Sequence, residues 1–547
     1  MLRVSKLTLF VGILVVMMFG LIAQPVLGKD QVLKIALDAA DLNVIHPHFA
    51  NNTQDRAVVH LIFNGLVRYK TGDISEFEPD LAKSWEVSKD GTVWTFHLRH
   101  GVMVHPWNGH PGYELTSEDV VYSLRGSADP AQSAWSGEYA GMTFKAVDRY
   151  TVKITLEKPV SPSLFLPKVA DYAGGLITPK KAAEDLGEDF RIHPVGTGPF
   201  IFKKYTPMSK VVVVRNEKYF RGAPKLAGVE VLYMPDMSSR KFGLQSKELD
   251  VIEGPPSQPW VEEMKALPGV KVDVFGPGEG AVLHFNMTKK PFDDIRVRRA
   301  TCYALTRDEV VTTIGKDVAD PMYSMVPPVL AGGLTREELV ERGQQDGKDY
   351  LYATDRKKAK ELLAKAGFPD GFSTDIYMSE RGEYLLPIQN VVAQLGRCGI
   401  DVKLHIVDHA TYHHNMRADM NSIDLYNCWR PTADVFLTHF YLSDSGVVTG
   451  ESPVTNFSHI GQVDANGDGT IDSVDDLIKA ARKELDAAKQ AELWKEAQLK
   501  AQDWAVSYAT HIKKFTFARR DYVDWGYELR STLILSPQIN ELTTISK

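Results

Sequence analysis

From residue 31 to about 160, apolar and polar residues alternate in short runs. In GTVWTFHLRHGV, Trp94, Phe96 and Leu98 alternate with Val93, Thr95, His97 and Arg99, between Gly91 and Gly101. A period of two over that length predicts a half-buried strand. YTVKITLEKP, from Tyr150, predicts another. In TSEDVVYSL, Thr116 or Ser117 precedes Glu118 and an apolar run, which predicts a helix start. The turn at Gly196, Gly198 and Pro199 feeds a further strand. GPGEGAVLHFNMT then sets three glycines, Gly276, Gly278 and Gly280, ahead of an apolar strand. No helix with a following acid accompanies them, so a dinucleotide fingerprint fails and a junction between domains is expected.

The period changes near residue 293. DDIRVRRATCYALTRDEVVTTI places Ile295, Ala300, Tyr303, Ala304 and Leu305 on one helical face. DRKKAKELLAKAGFPDGF predicts a capped helix stopped by Gly367. LLPIQNVVAQLGRCGIDVKLHIVD predicts helix, glycine turn and strand. A long helical stretch follows residue 475, and strand-like pieces stand near 512–517 and 531–535. Alternating helix and strand predicts an α/β fold class.

The chain has 547 residues, 44% hydrophobic and 24% charged. One core stops growing near ~250–300 residues, so at least two lobes are expected. The formal net charge of −7 gives no encouragement to nucleic acid as a partner. The apolar run LTLFVGILVVMMFGLIA follows Arg3 and Lys6 and precedes Val26, Leu27 and Gly28. This reads as a signal peptide at 1–28, cleaved near Gly28, with a periplasmic or extracellular mature protein; an uncleaved anchor is the alternative. Cys302, Cys398 and Cys428 are expected to be buried free thiols, although Cys398 and Cys428 are free to pair.

The local motif with the most chemistry is QVDANGDGTIDSVDDL. Asp464, Asn466, Asp468, Asp472 and Asp475 stand at positions 1, 3, 5, 9 and 12 of a twelve-residue loop, with Gly469 at position 6. Thr470 offers its carbonyl at position 7, and Ile471 is expected to pack inward. Calcium takes six to eight oxygen ligands, and this spacing wraps them around one point. A single loop, with a helix on one side alone, points to structural Ca2+ rather than sensing. Elsewhere there is no G-x-S-x-G, no phosphate loop and no H-E-x-x-H, so no enzyme is expected. Histidines gather at His97, His100, His105 and His110, and at His405, His409, His413 and His414. His409 and His413, four apart, read either as a metal pair or as hydrogen-bonded surface histidines.

Several stretches together resemble the family 5 solute-binding proteins of ABC importers, the oligopeptide-, dipeptide- and nickel-binding group. They are FEPDLAKSWEVSKDGTVWTFHLRHGV, LTSEDVVYSL, PVGTGPFIFKKY, LHFNMTKKPFDDIRVRRATCYALTRDEVV, KAKELLAKAGFPDGF, QLGRCGIDVKLHIVDHATY and DDLIKAARKELDAAKQAELWKEAQ. The resemblance implies a two-lobed periplasmic-binding-protein-like fold of type II with an extra N-terminal subdomain. It implies lobe I at 29–49, 186–277 and 506–547, an inserted subdomain at 50–185, and lobe II at 278–505. GPGEG then becomes a hinge strand. It further implies a monomer that closes on a peptide-like ligand and delivers it to a membrane permease, with oligosaccharides or nickel complexes as alternative ligands. A secreted enzyme or scaffold component with a dockerin-like module is the alternative of another class. The family often reads W-x-x-D-x-x-D-P in lobe II, where an Asp holds a peptide's amino terminus. Here NCWRPTADVFL keeps Trp429, but Arg430 and Pro431 follow, and Asp434 is the one acid. Candidate ligand contacts are Trp429, Arg430, Asp434, His409 and Tyr412.

Overall fold

The computed structural model describes residues 31–50, 52–171, 174–448 and 455–547. The leader at 1–28 lies outside the described residues. The mixed α/β architecture is organised by one nine-stranded sheet among the described residues. Its strands are β1 (Val32–Leu37), β2 (Phe200–Thr206), β3 (Lys210–Arg215), β4 (Gly228–Tyr233), β5 (Val251–Gly254), β6 (Val270–Phe285), β7 (Ala319–Pro321), β8 (Ile423–Cys428) and β9 (Ser507–Arg520). The order is β8-β6-β9-β5-β1-β4-β3-β2, with β7 added on β9. β1 runs parallel to β4 and β5, and the other pairs are antiparallel.

Two strands serve both halves of this sheet. The first part of β6 pairs Val270–Phe275 with Arg520–Phe515 of β9, beside β5. The second part pairs Glu279–His284 with Lys513–Ser507 and also carries β8. Between them the register slips, so that three residues, Gly276 to Gly278, face Lys514 alone. Such a bulge bends a strand and raises its twist. Gly278 makes it possible: its φ is +66°, and a Cβ there would stand 1.9 Å from the Lys513 carbonyl oxygen. The glycine run expected to mark a junction is therefore a bent crossing in two continuous strands.

The alternating segment folds as expected. Val93–Leu98 is a strand with Trp94, Phe96 and Leu98 buried, in a four-stranded antiparallel sheet with Ala82–Val87, Thr143–Asp148 and Thr151–Thr155. The Trp94 and Phe165 rings stack with centroids 4.5 Å apart. Burying side chains of this size contributes roughly 2–3 kcal/mol each. Thr116 caps the helix Ser117–Ala128 in a reciprocal box closed by Asp119.

Three expectations change. The helical run after residue 293 is two helices, Ile295–Ala304 and Arg307–Ile314, because the chain turns extended at Leu305 and Thr306. The run after 475 is also two helices, broken where Asp486 caps the second. Residues 531–535 form no strand beyond a single bridge from Ser531 to Gly276. Cys302, Cys398 and Cys428 are buried and unpaired.

Candidate functional site

Strand direction places the site. The parallel strands β1 and β5 end at Leu37 and Gly254, and Thr516 of β9 donates to the Gly254 and Pro255 carbonyls at 2.9 Å each. From the other side, Gly280 of β6 pairs with Cys428 at the end of β8. The parallel pair Phe372–Ser379 and Ile400–Val407 ends beside it, where Asn427 Nδ2 donates to the Glu383 carbonyl at 3.2 Å. The carboxyl ends of both halves thus meet at the crossing. In open α/β sheets that is where ligands bind.

A recess of about 50 Å3 is lined by Tyr69, Phe77 and Ser163 from one side and Pro431, Thr432 and Trp494 from the other. The Ser161 N–H donates to the Arg482 carbonyl at 3.3 Å, and the Ser163 hydroxyl meets Gln490. At the crossing, Lys513 Nζ and Glu279 pair at 3.1 Å. Both are partly exposed, so the pair contributes ~1 kcal/mol or less.

The five candidate ligand residues separate. Trp429 is half-buried, and its indole N–H is buried with no hydrogen-bond partner. Asn427 Oδ1 beside it is also unpaired. A buried polar atom left unpaired costs about 1–3 kcal/mol; the Trp94, Trp260 and Trp494 indole nitrogens are buried and unpaired in the same way. Arg430 donates through Nη1 to the Trp429 carbonyl at 2.8 Å and through Nε to His439 Nδ1 at 3.2 Å. His409 opens helix α1 (His409–Arg417). Its Nδ1 lies 3.0 Å from the Ser379 hydroxyl, and its Nε2 lies 3.1 Å from His413 Nε2.

Two candidates are held by partners inside the fold. Asp434, at the start of helix α2 (Ala433–Tyr441), is buried and pairs with Arg482 Nε at 2.8 Å. Its charge is spent inside the fold, because Arg482 on helix α3 (Asp475–Lys483) packs against it. Tyr412 is fully buried and donates its hydroxyl to the Leu425 carbonyl, so it is a core residue.

The acidic loop folds tightly. Asp464 accepts from the Gly467 and Gly469 N–H groups at 2.6 and 2.7 Å, and Asp468 from Thr470 N–H at 2.9 Å. The Gly469 N–H holds the Asp464 carboxyl below its ordinary range, and the Thr470 hydroxyl, donating at 2.6 Å, does the same first of all for Asp468. Asp472 accepts from the Ala465 and Asn466 N–H groups at 2.9 Å each. Asn466 Nδ2 stands between Asp468 and Asp472, 3.0 Å from each. Asp475 departs from its expected place. Its carboxylate accepts from Ser443 N–H at 3.0 Å and Ser443 hydroxyl at 2.5 Å, and pairs with Lys479 at 3.2 Å. Ile471 is 65% exposed rather than packed inward. Among the described residues no group of three or more His, Cys, Asp or Glu side chains gathers to hold a metal ion. The sequence also gave no sign of Arg298. It is fully buried and ties the loop to the fold by donating to the carbonyls of Phe292, Ala465 and Trp504.

Residues 76–446 match the family model of bacterial extracellular solute-binding proteins, family 5, middle region. The chain belongs to that family. Among the relatives of this solute-binding protein are heme-binding protein A of Haemophilus influenzae, 32% identical over 340 residues, and the dipeptide-binding protein of Escherichia coli, 32% identical over 349 residues. These matches cover 58% and 60% of this chain. They span 58% and 62% of the two relatives, under two thirds of their lengths. Of the solved structures, the binding protein MoaA of A. tumefacien R10, in complex with mannopinic acid, is similar over 94% of this chain and all of its own. Its identity is 35% and its TM-score 0.69.

Replacing Asp434 by Asn removes the counter-charge of the Arg482 guanidinium, which keeps the Thr438 hydroxyl as a partner. Arg482 is one-third exposed, so the expected loss, discounted for solvent, is about 1–2 kcal/mol. Denaturant unfolding is expected to show that loss, with ligand affinity changed less than threefold. A tenfold loss of affinity at unchanged stability would return Asp434 to the ligand site.

Proposed function

We propose that this chain is the exported solute-binding protein of an ABC importer. It captures a peptide-like ligand between its two halves and delivers it to a membrane permease. The observation that carries this reading is the pair of strands β6 and β9, each continuous through both halves, with the carboxyl ends of both sets of strands converging on their bend. Two connected bodies joined by so few residues favour hinge closure around a ligand. The dipeptide-binding relative supports a peptide-like ligand, and a free peptide brings the hydrogen-bonding ends that Trp429 Nε1 and Asn427 Oδ1 lack. The lobes we assign are 29–49, 186–277 and 506–547 for the first, with 50–185 inserted, and 278–505 for the second.

A thermal-shift screen against di- to pentapeptides checks the ligand class. A ligand at ~100 times its Kd stabilises by about 2.7 kcal/mol, so a rise of a few degrees in Tm is expected for at least one peptide. A panel in which oligosaccharides or nickel complexes alone raise the Tm would contradict the peptide reading.

For the acidic loop we propose a structural calcium ion held by Asp464, Asn466, Asp468, Thr470 and Asp472, with Asp475 left on Ser443. One feature supports it: the side chains at these positions offer oxygens, the ligand type calcium takes. A chelator is expected to lower the Tm by a few degrees and leave ligand affinity at moderate temperature unchanged. Melting curves that superimpose with and without chelator would remove calcium from the account.

A further inference from the structure

Arg430, two residues beyond Cys428 at the end of β8, carries a positive charge that no carboxylate among the described residues answers. Both of its bonded partners are neutral acceptors: the Trp429 carbonyl and His439 Nδ1. Its guanidinium lies 5.8 Å from the centre of the Phe440 ring. Among the described residues no Asp or Glu oxygen comes within the 4.0 Å of an ion pair with it. The two acids on neighbouring elements are engaged elsewhere. Asp434 pairs with Arg482 and Glu279 with Lys513. Burial and the charge of Arg430 push the His439 ring down to about 4, which keeps it neutral as an acceptor. An arginine fork held by two neutral groups is preorganised for a planar anion. The adjoining Trp429 indole supplies a second donor, buried and unpaired.

We propose that Arg430 and the Trp429 N–H together bind a carboxylate of the ligand, so that this protein selects acidic ligands at the position where an acid would select an amino group. The reading rests on the cleft being the ligand site, but not on the ligand being a peptide. It reverses the polarity expected from Asp434, because the acid that would capture an ammonium is internally neutralised.

Matched pairs of probes, measured by calorimetry on the whole mature chain, test it: Ala-Glu against Ala-Gln, Ala-Ala against its C-terminal amide, and gluconate against glucose. In at least one pair the acid is expected to bind ten or more times tighter than its neutral partner. Arg430→Gln is expected to bring that ratio close to one, and Trp429→Phe to reduce it severalfold. Arg430→Lys, which keeps the charge and loses the fork, is expected to fall between. Circular dichroism melting shows whether each variant is folded, and the wild-type ratios decide the matter if one is not. Equal binding within every pair by the wild type overturns the proposal, as does a preference for acid that survives in folded Arg430→Gln. A preference confined to gluconate leaves the proposal standing and sinks the peptide reading instead.

Discussion

The structure depends on one constraint: backbone pairing has to continue while the chain passes from one half of the molecule to the other. β6 and β9 meet it by pairing on both sides of a bend, from Phe275 with Phe515 to Glu279 with Lys513. The bend needs close approach of Gly278 to the Lys513 carbonyl, which no side chain tolerates. Every other part of the site is placed by this crossing. β5 and β1 bring their carboxyl ends to it from one half, and β8 brings Cys428, Trp429 and Arg430 from the other. A cleft at such a point is bordered by strands paired continuously on both sides of the bend.

Charge is distributed around the cleft by the same economy. Acids that reach inward are matched by bases of the fold itself, as Asp434 is by Arg482 and Glu279 by Lys513. Arg430 at the end of β8 has no such partner among the described residues, and buried Arg307 donates to backbone carbonyls alone. The acidic loop, by contrast, closes on its own backbone N–H groups and is tied to the fold by Arg298. Its position ahead of α3, the helix whose Arg482 neutralises Asp434, makes it a support for the cleft wall rather than a part of the cleft.

Much of the fold was legible because it rests on local periodicity. The period of two around Trp94 and Phe96 and the cap at Thr116 each express a short-range rule that the structure keeps; the glycine run near 276 is a bend within paired strands. The breaks inside the two long helical runs were hidden because both sides have good helix formers; an extended turn at Leu305 and a fresh cap at Asp486 decide them. The site was legible only in part. Arg430 stands out as a departure from a familiar pattern, next to Trp429, which keeps it. The fate of Asp434 depends on Arg482, 48 residues on, and that of Asp475 on Ser443, 32 residues back. No periodicity reports such pairings. Tyr412 reads as a polar contact in sequence and is a core residue because its hydroxyl finds the Leu425 carbonyl.

The central claim, closure of two halves about the β6–β9 crossing, is tested most directly by the distance between them. Lys89 and Lys483 are both exposed, and the lobes proposed above put them on opposite halves. The three native thiols are buried, so spin labels on Lys89→Cys and Lys483→Cys report that distance by pulsed electron resonance. With the tightest-binding probe at saturation, the distribution is expected to collapse to a single short distance. Without it, a longer population is expected to appear. Superimposable distributions in the two conditions would contradict the account.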